Sequence, residues 1–261
     1  MYSILTCADT NFYPMASYLA RIIRMYTDCQ LFLYDLGLTE KEKSSLKNMG
    51  VTIEKTLFDD DTFSMNSKGN IRTTHKINCI RHFLHKYKKG VIVLDADALP
   101  VENCIAEIFP TNNEIMVTYR CDREKKEHIL INGKINAGVM GFGKEIEDDF
   151  FGKWEKICED KEQTDQSALS LLLEEKIDFK QINSRQTYGK YIVHTLDGNI
   201  YNDVSCRIGK IFHFKSAGRK RNKHIGFVLF ALFQSLFPEK VSKLVKLNRK
   251  HRWFVWRKKD I

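Results

Sequence analysis

Two carboxylates one residue apart follow a strongly apolar run. Residues 91–94 are Val-Ile-Val-Leu and Asp95-Ala96-Asp97 come next; four apolar β-formers in succession predict a buried strand. Alternate side chains of an extended segment share a face, so we expect Asp95 and Asp97 to point the same way past the small Ala96. Two hard oxygen ligands on one side suit Mn²⁺ or Mg²⁺. The alternative is a loop in which each aspartate caps a turn or a helix.

Polar and small residues border other apolar runs. These are Thr6-Cys7-Ala8-Asp9 after the first run, Asn136-Ala137-Gly138, Asp165-Gln166 before a leucine-rich stretch, and His213 within residues 211–215. Open α/β folds bind ligands beyond the carboxyl ends of strands, which is where the first of these motifs falls. Each motif also has a structural interpretation. In that interpretation, Asp9 caps the following helix and Asp165 makes a favourable contact with a helix dipole. Gly138 then marks a bulge or close packing, and His213 is an ordinary core residue.

Alternating strand and helix patterns position these residues. Strands are expected from Ile4 and at 31–34, 51–54, 90–94, 114–119, 136–142 and 208–214, and helices at 14–26, 74–87, 150–158 and 165–175. A further helix starts at Thr39, where Glu42 completes a capping box, and ends before Gly50. The polar stretch 121–134 separates two of the strands. This repeated order predicts an α/β domain with a largely parallel, buried sheet.

Five short motifs, taken in order, resemble those of the GT-A glycosyltransferases. The likeness is to the family-eight type, which includes glycogenin and bacterial lipooligosaccharide galactosyltransferases, and it runs from Ile4 to about Arg219. The motifs are residues 6–9, 95–97, 135–140, 164–166 and 212–214. The resemblance implies a GT-A, Rossmann-like catalytic domain over residues 1–218, with a mixed, mainly parallel central sheet.

The activity that this resemblance implies is metal-dependent transfer of a sugar. The donor is a nucleotide-diphosphate sugar, expected to be UDP-linked, the acceptor is a glycan or lipid-linked molecule, and anomeric configuration is retained. Asp165 is then expected to contact sugar hydroxyls and Gln166 to lie beside the anomeric carbon. An inverting reaction with Asp165 as base is the second interpretation.

His213 is the third metal ligand that the resemblance implies, beside Asp95 and Asp97. An imidazole ligand favours Mn²⁺, while Mg²⁺ prefers oxygen ligands and is the second choice. The nucleotide-sugar contacts expected on the same basis are Thr6, Ala8, Asp9, Asn11, Lys76, Asp95, Ala96, Asn136, Ala137, Gly138, Lys215 and Arg219. Two of these have alternatives: Lys76, like Arg72, fits a solvated basic helix face, and Arg219 departs from the family's glycine–lysine pattern and fits the start of the basic tail.

The net charge of +9 is concentrated at the C-terminal end. Residues 219–261 contain thirteen lysines and arginines against two acidic residues, whereas residues 1–218 are close to neutral. The apolar run 225–237 is shorter than the roughly 20 residues that span a bilayer, and basic residues mixed with Trp253, Phe254 and Trp256 follow it. We therefore expect residues 219–261 to form a basic amphipathic helical tail on an anionic membrane surface. Alternatively, the tail packs on the body and exposes a solvated basic face.

Composition bounds the remaining classes. A chain of 261 residues with 43% apolar and 29% charged residues is neither disordered nor collagen-like. Seven dispersed cysteines and an N-terminus without a secretory pattern predict a cytoplasmic protein, here at the inner face of a membrane. One rival is a non-enzymatic membrane- or nucleic-acid-binding protein acting through its tail; it leaves the motif series unexplained, and we expect no nucleic-acid partner. The nearer rival, a sugar-nucleotide pyrophosphorylase, is expected to show a glycine-rich loop where residues 6–12 contain no glycine.

Overall fold

The computed structural model describes residues 1–26, 28–55, 74–120, 124, 126–160, 163–215 and 221–251. Arg72, Arg219 and the aromatic cluster of Trp253, Phe254 and Trp256 lie outside the described residues. The described strands are β1 Tyr2–Ala8, β2 Cys29–Asp35, β3 Thr52–Lys55, β4 Val91–Leu94, β5 Ala98–Pro100, β6 Glu114–Tyr119, β7 Ile135–Phe142, β8 Ser184–Tyr188, β9 Tyr191–Asp197 and β10 Ile211–His213.

Eight strands form one mixed sheet in the order β3-β2-β1-β4-β7-β6-β9-β8, and β10 pairs with β5 separately. The run from β3 to β4 is parallel, as is the pair β6–β9. Strand β7 is antiparallel to both of its neighbours, and β8 is antiparallel to β9. The predicted α/β class with a mainly parallel central sheet is confirmed.

Ten described helices cover the sheet. They are α1 Tyr13–Ile23, α2 Glu40–Asn48, α3 Thr74–Tyr87, α4 Ile105–Ile108, α5 Lys126–Asn132, α6 Asp148–Asp160, α7 Asp165–Glu174, α8 Gly198–Tyr201, α9 Arg221–Leu236 and α10 Pro238–His251. One core holds buried residues of α3, α6 and α7, and the other holds those of α1 and α9. The sheet is therefore buried on both faces, which explains the continuous apolar run of β4.

Local sequence signals account for one helix and fail for one strand. The capping box of Thr39 and Glu42 is present at the start of α2, as predicted. The strand expected at 208–214 is only β10, because the buried carboxylate of Asp203 accepts the backbone N–H groups of Arg207, Ile208 and Gly209, each at 2.9 Å. These bonds hold the preceding residues in a loop.

The C-terminal helices pack on the body along one face. Phe227 and Ala231 of α9 are fully buried, and the ring of Phe227 meets that of Tyr18 on α1 edge to face. Val241 and Val245 of α10 join a smaller apolar cluster. Among the described helices, no single one is long and apolar enough to cross a membrane. Residues 224–236 and 238–251 pass that test only as a pair, bent by 112°.

Candidate metal and donor site

A turn after β4 brings the two aspartates to the edge of the sheet. The backbone N–H of Ala98 donates to the Asp95 carbonyl at 2.9 Å, so residues 95–97 form a turn. The expected extended segment is wrong, although Asp95 and Asp97 do converge as expected. The turn leads directly into β5, whose Ala98 lies opposite His213 of β10. Phe214 also donates its N–H to the Asp97 carbonyl at 2.9 Å. Pairing between β5 and β10 therefore holds His213 beside Asp97.

Asp95, Asp97 and His213 together form a cluster that could hold a metal ion. His213 Nε2 lies 3.4 Å from Asp97 Oδ1 and 3.7 Å from Asp95 Oδ2, and one ligand atom from each residue lies within 4.8 Å of the others. The side chains of Asp97 and His213 are each 6% exposed, whereas Asp95 is 32% exposed, so the site opens on the Asp95 side. Two carboxylates and an imidazole nitrogen fit a divalent transition metal.

The electrostatics of this cluster favour positive charge. Burial lowers the pKa of His213, but the carboxylates of Asp97 and Asp95 raise it and prevail. The same negative potential that holds a proton on the imidazole attracts a metal cation in competition with that proton.

Gly138 gives the imidazole the space that it occupies. Its carbonyl accepts the N–H of Asp95 at 2.9 Å. A Cβ at this position would lie 2.4 Å from His213 Cε1 and 2.5 Å from His213 Nδ1. The backbone of β7 approaches the histidine so closely that any side chain here displaces it, and this steric need is independent of the expected sugar contact.

Lys76 of α3 connects the metal site to Asp165. Its Nζ lies 2.6 Å from Asp95 Oδ1 and 3.5 Å from Asp165 Oδ2, so Lys76 faces the site rather than forming part of a solvated helix surface. Burial lowers the pKa of Lys76, but the carboxylates of Asp95 and Asp165 raise it by more. The net shift is upward, and the ammonium stays charged. Burial raises the pKa of Asp165, and Lys76 opposes that shift.

The residues around β7 are held by amide contacts. Ala137 donates its N–H to Gln166 Oε1 at 3.1 Å, and Gln166 Nε2 donates to the Asn132 carbonyl at 3.4 Å. Asn136 is buried, donates to Glu124 Oε1 at 3.0 Å and accepts the N–H of Gly138 at 3.1 Å. Gln166 therefore joins α7 to β7 and to the end of α5, while both ends of the Asn136 amide already have protein partners.

A buried charge network borders the same edge. Arg120 is 1% exposed and pairs with Glu124 Oε2, and Lys215 Nζ lies 3.0 Å from the same oxygen. Burial raises the pKa of Glu124, but Arg120 and Lys215 outweigh it and lower the pKa, so the carboxylate is ionised. Lys215 thus lies two residues beyond His213 and is tied to the 121–134 stretch. Neither Arg120 nor Glu124 belongs to a motif that sequence reasoning recognised.

The end of β1 shares the edge of the site, because β1 and β4 are adjacent parallel strands. Thr6 and Ala8 are buried within the sheet. Asp9 Oδ1 accepts the N–H of Phe12 at 3.0 Å, and the Asn11 amide donates to Asp9 Oδ2 at 3.3 Å. Asp9 therefore stabilises the turn before α1, but it does not cap that helix, whose N-cap is Phe12 without a side-chain cap. Asn11 is exposed at the same edge.

Asn202 is a member of the site that sequence reasoning missed. It is fully buried just after α8, and its Oδ1 lies 2.8 Å from His213 Nδ1. Residues 201–203 carry no local pattern that indicates this role, since the contact joins side chains eleven positions apart.

Solved glycosyltransferase structures resemble this fold. No protein-family model and no curated protein matches the chain. GlyE of Streptococcus pneumoniae TIGR4 has a TM-score of 0.59 at 13% identity over 92% of this chain and 64% of its own. The bifunctional WbbM has a TM-score of 0.54 at 13% identity, over 93% of this chain and 51% of its own. An active-site mutant of LgtC has a TM-score of 0.51 at 15% identity, over 76% of this chain and 74% of its own. This chain spans about half of WbbM. The fold is thus the GT-A, Rossmann-like fold that the motif series implied.

Proposed function

We propose that this chain is a glycosyltransferase that moves a sugar from a nucleotide-diphosphate sugar, UDP-linked, to a glycan or lipid-linked acceptor. The observation that carries the proposal is the convergence of Asp95, Asp97 and His213 at the carboxyl edge of a GT-A sheet. Open α/β sheets bind ligands at that edge. Divalent cations held by one or two carboxylates commonly take substrate phosphates as further ligands, and a sugar diphosphate supplies such groups.

The cofactor in this proposal is Mn²⁺, with Mg²⁺ as the weaker choice. A nitrogen ligand suits Mn²⁺ better than Mg²⁺, which prefers oxygen ligands throughout. When bound, the metal neutralises charge on the diphosphate leaving group.

Lys76 and Lys215 supply the cationic side chains of the reaction. Both flank the cluster, Lys76 through its 2.6 Å contact with Asp95 and Lys215 two positions beyond His213. Preorganised positive charge stabilises a phosphate as the bond to the anomeric carbon breaks. We assign both ammonium groups to the diphosphate oxygens.

Asp165 and Gln166 face the sugar in this proposal. The ion pair with Lys76 at 3.5 Å holds Asp165 as an acceptor for sugar hydroxyls. Gln166, the next residue, accepts the N–H of Ala137 through its Oε1. We favour retention: the bond from the anomeric carbon to the phosphate oxygen breaks, the acceptor oxygen bonds to the same face, and the acceptor proton passes to the departing phosphate. Inversion with Asp165 as base is the competing route.

A donor screen tests the proposed function. Wild-type chain is incubated with a panel of UDP- and other nucleotide-linked sugars, with Mn²⁺ or with chelator, and nucleotide release is measured. The prediction is Mn²⁺-dependent nucleotide release from at least one UDP-sugar. The control variant Asp148→Asn, at an aspartate whose side chain is 60% exposed, should release nucleotide as fast as wild type. Release that chelator does not reduce, or no release from any donor, contradicts the proposal. NMR of the product anomer, once an acceptor is found, decides between retention and inversion.

We further propose that α9 and α10 attach the enzyme to the anionic, cytoplasmic face of a membrane. Six large apolar side chains of this segment are 41–62% exposed: Ile225, Leu229, Leu232, Phe233, Leu236 and Phe237. On α10, Leu244 is exposed among Lys240, Lys243 and Lys250. A groove of about 810 Å³ beside α10, lined in part by Lys243, Lys246 and Lys250, shares no residue with the metal site. Apolar surface next to lysines supports binding to an anionic lipid surface.

Vesicle sedimentation tests this attachment. Full-length chain is expected to sediment with vesicles containing an anionic phospholipid and to stay in solution with purely zwitterionic vesicles. The double variant Leu229→Ser, Leu232→Ser is expected to lose about 10-fold or more in partitioning, because burial of two leucines supplies several kcal/mol. The matched control is Leu130→Ser, a change at an 87%-exposed leucine of α5. Equal sedimentation of the double variant and the control, or binding to RNA instead, overturns the attachment.

A further inference from the structure

Asn202 is a fully buried amide whose contacts define its orientation. Its Nδ2 donates to Thr118 Oγ1 at 2.8 Å and to the Asn136 carbonyl at 3.0 Å. A backbone carbonyl only accepts hydrogen bonds, so the group that faces it must be the NH₂ end of the amide. The other end, Oδ1, therefore faces His213.

The orientation of Asn202 determines which nitrogen of the neutral His213 ring carries hydrogen. Asn202 Oδ1 lies 2.8 Å from His213 Nδ1, and an amide oxygen is only an acceptor. Nδ1 must then be the protonated nitrogen, which leaves the lone pair on Nε2. Nε2 is the atom that lies 3.4 Å from Asp97 Oδ1 and 3.7 Å from Asp95 Oδ2.

The backbone holds the two residues at this distance. The backbone N–H of Asp203, next to Asn202, donates to the Ile211 carbonyl, and the Asp203 carbonyl accepts the N–H of His213 at 3.0 Å. Thr118 lies on β6 and also donates to the Asn136 carbonyl at 2.8 Å, which joins Asn202 to the central sheet. The Asn202 amide is thus held by β6, through Thr118, and by β7, through the Asn136 carbonyl, and not by the histidine alone.

We propose that Asn202 is a positioning residue: it holds His213 in the tautomer that presents the Nε2 lone pair to a metal shared with Asp95 and Asp97. The inference rests on the proposed metal-dependent function. Outer contacts of this kind set ring orientation and ligand basicity, and their loss typically lowers metal affinity about 10–100-fold.

Two substitutions separate tautomer control from packing. Asn202→Leu keeps a side chain that branches at Cγ, although a larger one, and offers His213 Nδ1 no acceptor. Asn202→Asp keeps an oxygen acceptor toward Nδ1 while removing the donors to Thr118 and Asn136. The control Thr118→Val breaks a contact of the Asn202 amide but leaves the bond between Asn202 and His213 in place.

The experiment measures Mn²⁺ affinity by the EPR signal of free Mn²⁺, and the tautomer by the imidazole ¹⁵N shifts of His213 at a pH where the ring is neutral. Wild type and Thr118→Val are expected to show protonated Nδ1. Asn202→Leu is expected to show mixed tautomers and to bind Mn²⁺ about 10–100-fold more weakly, and Asn202→Asp is expected to recover most of that affinity. Asn202→Ala replaces the leucine variant if thermal unfolding shows that the latter is not folded.

The results distinguish this inference from the proposed function. If wild type binds Mn²⁺ and Asn202→Leu matches it in affinity and in ¹⁵N shifts, the positioning role is wrong and the metal site stands. If wild type binds no Mn²⁺, the proposed metal function fails, and the ¹⁵N shifts still decide whether Asn202 sets the tautomer: unchanged shifts in Asn202→Leu overturn that role too.

Discussion

Two clusters of carboxylate and histidine, one at the start of β6 and one in the turn after β4, differ in the cationic partners of their buried carboxylates. At the start of β6, Glu114 is 1% exposed and its carboxylate accepts from Thr111 N–H at 2.9 Å, from Thr111 Oγ1 at 3.2 Å and from Arg185 Nε at 2.8 Å. His194 Nδ1 lies 3.3 Å away. Donors surround this carboxylate, and its charge is satisfied within the protein.

The cluster of Asp95, Asp97 and His213 differs in the partners of its buried aspartate, Asp97. Lys76 pairs with Asp95, but in the part of the chain that the structure describes no lysine or arginine pairs with Asp97. The imidazole turns Nδ1 toward Asn202 and Nε2 toward the carboxylates. Asp97 is 4% exposed, and a buried carboxylate without a lysine or arginine beside it is costly unless another cation joins it. The same residue types thus form a structural contact at Glu114 and, at Asp97, the cluster that we propose as a cation site.

The largest effect is expected from Asp97→Asn. The change replaces one charged ligand by a neutral amide and should lower Mn²⁺-dependent donor hydrolysis about 10³-fold or more, a loss comparable with removing a main electrostatic contact. Steady-state nucleotide release measures it, with circular dichroism as the check on folding. Glu114→Gln, the same kind of change in the balanced cluster, should keep wild-type kcat when assayed folded. Equal losses in both variants would erase the distinction between the clusters.

Gly138→Ala should perturb the cluster of Asp95, Asp97 and His213 and leave the Glu114 cluster unchanged. The new methyl group would lie 2.4 Å from His213 Cε1, so the ring must move away from Asp95 and Asp97. We expect Mn²⁺ affinity to fall about 10–100-fold, as for other losses of ligand orientation, with the sheet still formed. EPR titration of Mn²⁺ gives the affinity. An alanine variant that binds Mn²⁺ like wild type would show that the ring position is not critical.

Glu114→Gln should destabilise the fold by about 1–3 kcal/mol at pH 7, because it weakens hydrogen bonds to a buried charge. Burial raises the pKa of Glu114, but His194, Thr111 and Arg185 prevail and lower it from 4.5 to about 2. The stabilisation is therefore present above pH 4.5 and is lost as the pH falls toward 2. Urea unfolding at pH 7 and at pH 3 should show the gap between wild type and variant narrowing at the lower pH. A gap independent of pH would assign the loss to packing.

The smallest effect is expected from Arg185→Ala. The Arg185 side chain is 60% exposed, and such ion pairs contribute about 0–1 kcal/mol. Glu114 would keep its Thr111 and His194 contacts. Urea unfolding should therefore show less destabilisation than Glu114→Gln, whereas an equal loss would mean that Arg185 alone balances the carboxylate.

Local signals in the sequence predicted much of the fold. Four apolar residues identify β4, and the capping box identifies the start of α2. Strand β8 was missed because Ser-Arg-Gln-Thr-Tyr at residues 184–188 is polar and half-exposed at the sheet edge. Helix α5 was missed within a stretch interpreted as a polar loop. Both depend on tertiary contacts that a short window does not contain.

The site was predicted by motif order rather than by geometry. Asp95 and Asp97 do converge with His213, yet through a turn and a β5–β10 pair that the extended-strand argument did not include. Asn202 had no signal at all, because its importance arises from contacts with Thr118, Asn136 and His213, which are distant in sequence. Sequence patterns locate chemical groups at strand ends, whereas the supporting contacts appear only in three dimensions.

The most direct test of the account is a Mn²⁺ titration of three chains side by side: wild type, Asp97→Asn and Glu114→Gln. Bound Mn²⁺ is measured by EPR at a concentration that saturates wild type. We expect one ion per chain for wild type and Glu114→Gln, and a large loss of binding for Asp97→Asn with its fold intact. Binding of one ion by Asp97→Asn with wild-type affinity would contradict the assignment of the metal site.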